Sequence, residues 1–438
     1  MAVSFSLNEL LQLWHAPSTN NAPPPGSFSW TSTASVLVLS LAGLLWTLSR
    51  KSATRTRVLA NGTRAVCPPE QLKDDLPQGA VVNAYTLERE LTVPFPVDDV
   101  RVAKILVHPI KSCRGSSLQE ARYTPEGIEN DRKWCIIDAN SHAIITAREV
   151  AKMVLITPRV EVDPASPCGG KLVVSFPEDA DLETFSIPLY PTEQMLEDWH
   201  IIEDCRMFGK YLVQGYVVSS TLDSDSDART PSDILSDYFA RSVHLVMKGP
   251  AARACPPTTA FPALQETAKF QDGYPFLVAS EESLGEVGRV VSAFATDESP
   301  AARIGGIDRE RWRDGGVEIE RFRPNIVCKG SGVPFAEDMW RQIRIHPAAA
   351  SDDHTPEEAR TFTLVSKCTR CLLPNVDTQT GARDAAVPYK VLLKFRANKD
   401  PMQKSKPCFG CNAVVGGKGV VRVGDRVEVL EWASGIGV

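Results

Sequence analysis

The 438-residue chain lacks the signatures of several common enzyme classes. It has no GxxxxGK[ST] phosphate-binding loop, no GxSxG nucleophile elbow and no HExxH metal motif. These absences argue against P-loop nucleotidases, α/β-hydrolases and zincin metalloproteases. The chain also has no nicotinamide or flavin fingerprint. Electrons for any redox reaction must therefore come from another molecule.

Charge of one sign is not concentrated along the chain. The net charge is −6 and no long run of Lys and Arg occurs, which argues against nucleic acid as a partner. A hydrophobic content of 43% and a charged content of 23% indicate a mostly globular protein. The 11 cysteines are odd in number and scattered, a pattern that fits reduced thiols better than a disulfide framework.

One segment near the N-terminus, residues 31–48, has no charged residue. As a helix it would measure roughly 27 Å, just enough to cross a bilayer. No Lys or Arg precedes it, whereas Arg50, Lys51, Arg55 and Arg57 follow it. This asymmetry predicts a membrane anchor with the C-terminal part in the cytosol, and it argues against a signal or transit peptide. An amphipathic or buried helix is the alternative.

The rest of the chain is organised around short β-branched runs separated by turn signals. Strands are predicted at Val102–Val107, Trp134–Asp138, Ala143–Thr146, Met153–Val162, Lys171–Phe176, Val213–Ser219, Val243–Met247 and, as a pair, within Gly419–Trp432. Helices are predicted at Pro231–Ala240, Glu281–Ala295 and Glu337–Arg341. These elements indicate a strand-dominated α+β protein with barrel-like sheets. Thr296–Gly316 is charged and Gly-rich, which is typical of a surface insertion.

Two CxxC pairs give the strongest generic metal signal: Cys368 with Cys371, and Cys408 with Cys411. Two such pairs are the pattern of a zinc ribbon, although their separation is longer than usual. A thiolate also suits Cu(I), iron–sulfur clusters or an oxo-metal. Arg370, beside Cys371, would favour the thiolate and bind an anionic cofactor. A thioredoxin-like redox pair is disfavoured, because no strand–CxxC–helix context surrounds either site.

Three further motifs place polar residues beside strands. Lys111 and Ser112 follow a strand at a turn, which is what an anion needs but also what ordinary surface turns contain. Arg132 follows an Asp and precedes a strand, as in a structural ion pair. Arg323 and Asn325 share one face of an extended stretch and could bind a pterin edge. A surface Arg and a turn Asn are the alternative.

Together these runs resemble the MOSC-domain molybdenum enzymes, and among them the mitochondrial amidoxime-reducing components. The matching stretches are VHPIKSCRG, NDRKWCIID, DGYPFLVASEESL, RFRPNIV and KCTRCLLPNVDTQTG, in the family's order. The resemblance implies a MOSC N-terminal β-barrel-like domain at 99–220 and a MOSC β-barrel domain at 221–438. Residues 1–30 would be disordered, 31–48 the transmembrane anchor and 49–98 a linker.

The resemblance also implies a molybdenum cofactor, molybdenum bound to molybdopterin, with Cys371 as the catalytic metal ligand. The other implied cofactor-binding residues are Lys111, Ser112, Arg132, Gly273, Tyr274, Arg323, Asn325, Thr369 and Arg370. Gly273 and Tyr274 align with a Thr-Ser pair in relatives. This departure removes two hydroxyls, so only backbone contacts carry over there.

The implied activity is the reduction of small N-hydroxylated compounds such as amidoximes and hydroxylamines. Electrons would come from cytochrome b5 and its NADH-dependent reductase, and the implied location is the outer mitochondrial membrane. The Lys-rich stretch Lys390–Lys406 is a candidate docking surface for the acidic cytochrome, or else a solvated loop. The alternative functions are a sulfur-carrying cofactor-maturation module and a non-enzymatic zinc scaffold built on the four CxxC cysteines. Molybdenum-cofactor sulfurases carry a large desulfurase domain before their MOSC part, and residues 1–100 are too short to supply one.

Overall fold

The computed structural model describes residues 93–438 except residues 98, 223–228, 348–359 and 435–436. The predicted disordered terminus, the anchor at 31–48 and nearly all of the linker lie outside these residues, so those assignments stay predictions. Among the described helices, none is both long and apolar enough to cross a bilayer.

The described residues form twenty strands and four α-helices. The strands are β1 Arg101–Val107, β2 Ser116–Leu118, β3 Glu120–Thr124, β4 Gly127–Ile128, β5 Trp134–Asp138, β6 Thr157–Val162, β7 Gly170–Ser175, β8 Phe185–Pro188, β9 Ile201–Met207, β10 Tyr211–Val217, β11 Val243–Lys248, β12 Arg253–Ala254, β13 Thr267–Ala268, β14 Phe276–Ser280, β15 Ile326–Lys329, β16 Trp340–His346, β17 Arg360–Thr369, β18 Cys408–Val415, β19 Gly419–Arg422 and β20 Arg426–Trp432. The helices are α1 Glu193–Asp198, α2 Pro231–Phe239, α3 Glu281–Thr296 and α4 Tyr389–Phe395.

Seven strands close a barrel in the order β15-β14-β18-β17-β16-β20-β1, because β1 pairs back onto β15. Only the β14–β15 pair among these is parallel. The barrel core is apolar and aromatic, and it includes Phe276, Trp340 and Phe362. Alternation of side chains along each strand sends one set inward to this core.

A second group of strands surrounds its own core. It comprises the four-stranded sheet β5-β11-β10-β9 and the three-stranded sheet β6-β7-β8, with buried Trp134, Leu172 and Leu235 between them. Strand pairing interleaves the two halves of the sequence. β1 comes first in the chain yet belongs to the barrel, whereas β11 lies after residue 220 and pairs with β5 and β10.

Local sequence signals account for the two longer helices. Thr230 and Asp233 form a capping box at the start of α2, with Pro231 in its first turn. Ser280 caps α3, whose buried residues Val287, Val290, Val291 and Phe294 recur at helical spacing. Both helices were predicted from helical periodicity, the first also from Thr230 and Pro231, and both are confirmed.

Three predicted elements differ from the structure. The helix predicted at Glu337–Arg341 is wrong: Ala336–Met339 is a short 3-10 turn, and β16 begins at Trp340. The predicted strand Ala143–Thr146 contributes only isolated bridges at Ala143 and Ile144. The predicted strand Met153–Val162 divides into a 3-10 turn, Ala151–Leu155, and β6. Short apolar runs carry too little periodicity to separate turn from strand.

Candidate functional site

A single cavity is lined by all ten residues that the sequence picked out. These are Lys111, Ser112, Arg132, Gly273, Tyr274, Arg323, Asn325, Thr369, Arg370 and Cys371. They come from the turn after β1, the approach to β5, the segments before β14 and β15, and the end of β17. The cavity encloses about 720 Å³, including its open mouth. The fold therefore gathers side chains that are far apart in the sequence.

The cavity wall also contains residues that the sequence reasoning missed: Gln271, Asp272, Leu277, Phe322, Leu373 and Asn412. It also contains Cys368, which the sequence offered as a zinc ligand instead. Asp272 directly precedes the Gly273-Tyr274 pair, and Phe322 directly precedes Arg323. Proximity to a recognised motif was the available signal for these two. Tyr274 itself donates its hydroxyl to the Pro256 carbonyl, 3.0 Å away.

Three residues of the cavity wall have a left-handed backbone. The φ angles are 69° for Ser112, 45° for Arg132 and 57° for Arg323. Such a conformation costs an L-residue about 1–2 kcal/mol. Two hydrogen bonds hold the arrangement: Arg132 Nη2 donates to the Arg323 carbonyl at 2.9 Å, and Arg323 Nη1 donates to the Cys113 carbonyl at 2.7 Å. Backbone strain of this kind concentrates at binding sites, where surrounding contacts enforce it.

Arg132 is anchored by a buried carboxylate. Its Nη1 lies 2.8 Å from both carboxylate oxygens of Asp131, which is fully buried and also accepts the His108 backbone N–H at 2.8 Å. Burial alone would raise the pKa of Asp131, but Arg132 and His108 hold it well below its usual range. Asp131 therefore stays charged and fixes the position of the Arg132 guanidinium in the cavity wall.

Two guanidinium groups at the cavity retain donors without acceptors. Arg323 Nη2 and Arg370 Nε are buried and have no hydrogen-bond partner among the residues that the structure describes. Burial lowers the pKa of Arg323 to about 9, and the neighbouring charge of Arg132 adds to the lowering. A buried donor left unpaired costs about 1–3 kcal/mol. An anionic group in the cavity would supply the missing acceptors.

Lys111 lies at the side of the cavity that meets solvent. Its side chain is buried, and its Nζ donates to the Phe270 carbonyl at 2.7 Å and pairs with Asp272. The Asp272 side chain is 67% exposed. Burial lowers the pKa of Lys111 despite this partner, and Lys111 in turn outweighs desolvation to hold the pKa of Asp272 at about 2.

Cys371 is partly exposed in the cavity wall, with its sulfur 3.5 Å from the Leu373 backbone N–H. Cys368 lies in the same wall, and Arg370 Nη1 donates to its sulfur at 3.0 Å. Burial raises the pKa of the Cys368 thiol, although Arg370 opposes the change. A thiol that faces a cation-lined cavity is the donor that a soft or oxo-metal with an anionic organic ligand requires.

Comparison with known proteins identifies the family to which this chain belongs. A model of the MOSC N-terminal beta barrel domain matches residues 99–204, and a model of the MOSC domain matches residues 265–428. The two matches together cover more than half of the chain. The chain belongs to the MOSC-domain family. Both predicted MOSC domains are thereby confirmed as parts of this sequence.

Mitochondrial amidoxime-reducing components are among the relatives that match about three quarters of this chain. Mitochondrial amidoxime-reducing component 1 of Mus musculus is 29% identical over 341 residues, which span 75% of this chain and 82% of the relative. The Homo sapiens protein of the same name is 26% identical over 337 residues, with coverage of 75% and 82%. A molybdenum cofactor sulfurase from Oryza sativa is 25% identical over 306 residues, 69% of this chain but 32% of the sulfurase. These names tie the MOSC domain of this chain to a function related to the molybdenum cofactor.

The zinc-ribbon alternative does not fit the MOSC barrel. Cys408 and Cys411 are fully buried on β18, and the Cys411 thiol donates to the Glu337 carbonyl at 3.3 Å. Burial raises the pKa of Cys408 to about 12. Within the described residues, no three His, Cys, Asp or Glu side chains form a group that could hold a metal ion. Ten cysteines are described and all are unpaired, so the prediction of reduced thiols is confirmed for them.

The charged segment 296–316 contacts the loop that follows Cys371. We call residues 372–388 the Cys371 loop. Arg311 Nη2 donates to Asp377 at 2.7 Å, and the indole N–H of Trp312 donates to Asp384 at 2.7 Å. Trp312 is 3% exposed, so part of the predicted surface insertion is buried. The buried Arg321 also donates to Asp377, at 2.6 Å. This MOSC domain therefore restrains its Cys371 loop through a segment outside the family motifs.

The predicted docking stretch Lys390–Lys406 is only partly a surface. Arg396 is 1% exposed and pairs with Asp338 at 2.5 Å, so its inclusion in a docking surface is wrong. Lys390 Nζ donates to the Gly305 carbonyl at 2.7 Å. Lys404 and Lys406 are exposed. The basic charge that this part of the MOSC domain presents to solvent is smaller than the sequence indicated.

Proposed function

We propose that this chain is a molybdenum-cofactor-dependent oxidoreductase that reduces N-hydroxylated compounds. The observation that carries the proposal is the convergence of Cys371 and nine further family-motif residues on one cavity. Relatives named amidoxime-reducing components support the same reaction class.

The residues of the cavity suit a pterin cofactor that carries a phosphate. The unpaired donors of Arg323 and Arg370, together with Lys111 and Arg132, would hold the phosphate and pterin oxygens. Cys371 would supply the thiolate ligand. Gly273 has open space where a side chain would begin, so its contribution is a backbone contact. These residues therefore fit the group on charge, donor type and placement.

The bound cofactor would supply a two-electron metal centre that accepts oxygen from the substrate. The overall reaction is R–NHOH + 2 e⁻ + 2 H⁺ → R–NH₂ + H₂O for a hydroxylamine, and its analogue for an amidoxime. The protein residues orient the cofactor and balance its charge. The exposed carboxylate of Asp272, held at the mouth by Lys111, is placed to orient the N–H groups of an entering substrate.

We propose cytochrome b5, reduced by its NADH-dependent reductase, as the electron donor. Lys404 and Lys406 are the exposed cations of the predicted stretch that remain available to an acidic partner. Anchoring to the outer mitochondrial membrane through residues 31–48 belongs to the same proposal. It is supported by relatives named mitochondrial and by the positive flank of that segment.

The test is metal content and turnover of the purified chain and two matched variants. We expect about one molybdenum per chain in the wild type and in Cys368→Ser, and none in Cys371→Ser, because only Cys371 is proposed as a ligand. The loaded wild type should reduce benzamidoxime in the presence of NADH, the reductase and cytochrome b5. Equal molybdenum in both variants would refute the ligand assignment. Loaded protein that reduces no N-hydroxylated compound would refute the reaction.

A further inference from the structure

The turn between β9 and β10 holds an aromatic residue in an unfavourable conformation. Met207 pairs with Tyr211, and the Lys210 N–H donates to the Met207 carbonyl at 3.1 Å, so Phe208 and Gly209 are the two central residues. Both have positive φ, 57° and 63°. This is the type I′ pattern, in which Asn-Gly is the favoured pair. A bulky residue at the first central position is a genuine outlier and points to a role outside the turn.

The Phe208 ring lies beside Lys111, which lines the cavity. Its centroid is 5.1 Å from Lys111 Nζ and 4.5 Å from Arg148 Cζ. Lys111 lines the cavity and pairs with Asp272, whose exposed side chain marks the side that meets solvent. Phe208 therefore packs against a residue of the cavity wall without being part of that wall. It is 41% exposed.

Arg148 links this aromatic residue to the Cys371 loop. Its backbone carbonyl accepts a hydrogen bond from Arg383 Nη2 at 2.7 Å, and Arg383 belongs to the Cys371 loop. The Arg148 guanidinium contacts the Phe208 ring. Cation–π contacts with Lys111 and Arg148 therefore restrict the motion of the ring, while 41% of Phe208 stays exposed.

We propose that Phe208 is an aromatic shelf that binds the planar, π-bearing part of the substrate outside the cofactor cavity. The inference rests on the proposed function and names its preferred substrate class: aryl amidoximes and aryl hydroxylamines rather than small aliphatic ones. The ring offers stacking area, and Asp272 lies beside Lys111 to accept the substrate N–H groups. The conformational cost of Phe208 is retained because the ring contributes to binding.

The experiment compares benzamidoxime with acetamidoxime, which share the reacting group and differ in the ring. Phe208→Asn removes the ring and suits the turn, whereas Phe208→Tyr keeps the ring. We expect the kcat/KM for benzamidoxime divided by that for acetamidoxime to fall roughly 2- to 10-fold in Phe208→Asn. This is the factor that the free energy of one aromatic contact provides. The ratio should stay near the wild-type value in Phe208→Tyr. The unfolding midpoint of Phe208→Asn should rise by about 1–3 °C as backbone strain is relieved.

A second measurement tests ligand binding and does not depend on turnover. Ligand-observed NMR measures binding of benzamide and acetamide to the purified wild type and to both variants, and benzamide binding should weaken only in Phe208→Asn. An unchanged kcat/KM ratio, an equal loss for both amidoximes, or a Phe208→Tyr variant that behaves like Phe208→Asn would overturn the shelf. If the wild type reduces neither amidoxime, the proposed function fails. The benzamide binding measurement then tests the aromatic shelf by itself, and equal binding to wild type and Phe208→Asn refutes the shelf.

Discussion

Asp377 is the point at which the Cys371 loop is most strongly tied to the rest of the protein. Its carboxylate accepts from Arg311 at 2.7 Å, from Arg321 at 2.6 Å and from the backbone N–H groups of Gln379 and Thr380, each at 3.0 Å. The Arg321 side chain is 2% exposed. Replacing the carboxylate by an amide, Asp377→Asn, keeps the shape and removes the charge. It leaves a buried guanidinium without its counter-ion.

The size of the effect follows from the ionisation of Asp377. Burial alone would raise its pKa, but the N–H groups of Thr380 and Gln379 and the charge of Arg321 lower it from 3.8 to about 2. That lowering corresponds to about 2 kcal/mol of stability at neutral pH. We therefore expect Asp377→Asn to lower the free energy of unfolding by about 2 kcal/mol or more, because the buried Arg321 is left without its counter-ion. The unfolding midpoint should fall by roughly 5 °C.

The assay is thermal unfolding of the purified wild type, Asp377→Asn and the control Arg311→Gln. Arg311 is 39% exposed, so its removal should cost about 1 kcal/mol at most. A carboxylate with a lowered pKa stabilises the fold fully above about pH 4 and loses this effect as the pH falls towards 2. The difference between wild type and Asp377→Asn should therefore narrow below pH 4. Equal midpoints at pH 7, or a larger loss for Arg311→Gln than for Asp377→Asn, would refute the reasoning.

Three further predictions concern buried groups. Glu337 is fully buried and accepts from Ser280 and Ser283, and burial with Asp338 nearby raises its pKa to about 7. Ionisation of Glu337 therefore destabilises the fold increasingly between pH 4.5 and 7. Glu337→Gln should raise the free energy of unfolding by up to about 3 kcal/mol at pH 8 and by little at pH 5, as measured by urea unfolding. Gly115→Ala would place a Cβ 2.4 Å from His108 Cδ2 and should cost about 1–3 kcal/mol; an unchanged unfolding midpoint contradicts this. Arg323→Lys removes the planar donor fork and should weaken cofactor retention roughly tenfold, read as molybdenum left after gel filtration, with full retention as the contrary result.

The cavity residues were predicted from the resemblance to the MOSC-domain family, because each motif taken alone also allowed an ordinary surface or ion-pair role. Several of these motifs lie beside strands. Lys111 follows β1, Arg132 precedes β5, and Arg323 and Asn325 precede β15. A strand ends where its residues turn away from the ladder, so polar groups there are free to face a cavity. The same reasoning could not supply the left-handed conformations of Ser112, Arg132 and Arg323. Nothing in the identity of a Ser or an Arg marks a positive φ, because long-range hydrogen bonds impose it.

The strand pairings that close the barrel could not be predicted from local sequence patterns, although the resemblance to the MOSC-domain family implied a barrel. β1 pairs with β15 and β20, partners more than two hundred residues away, and β16, β17 and β18 were not predicted as strands. Register between such distant segments depends on the packing of both faces. The contacts of segment 296–316 belong to the same class. Its charged, Gly-rich composition is typical of a solvated loop, and only the fold brings Trp312 to Asp384.

The two CxxC pairs show why spacing alone misassigned the metal chemistry. Spacing predicts that two cysteines can approach one ion, but it does not show on which face of a strand each cysteine lies. Here Thr369 pairs with Cys408 and Lys367 with Cys411 across β17 and β18. Cys411 packs in the barrel core, whereas Cys371 lies beyond the end of β17, where the chain turns into the cavity. The strand end thus separates a structural thiol from an accessible one. The accessible thiol lines the same cavity as Arg323 and Arg370, each of which has one donor without a partner among the described residues.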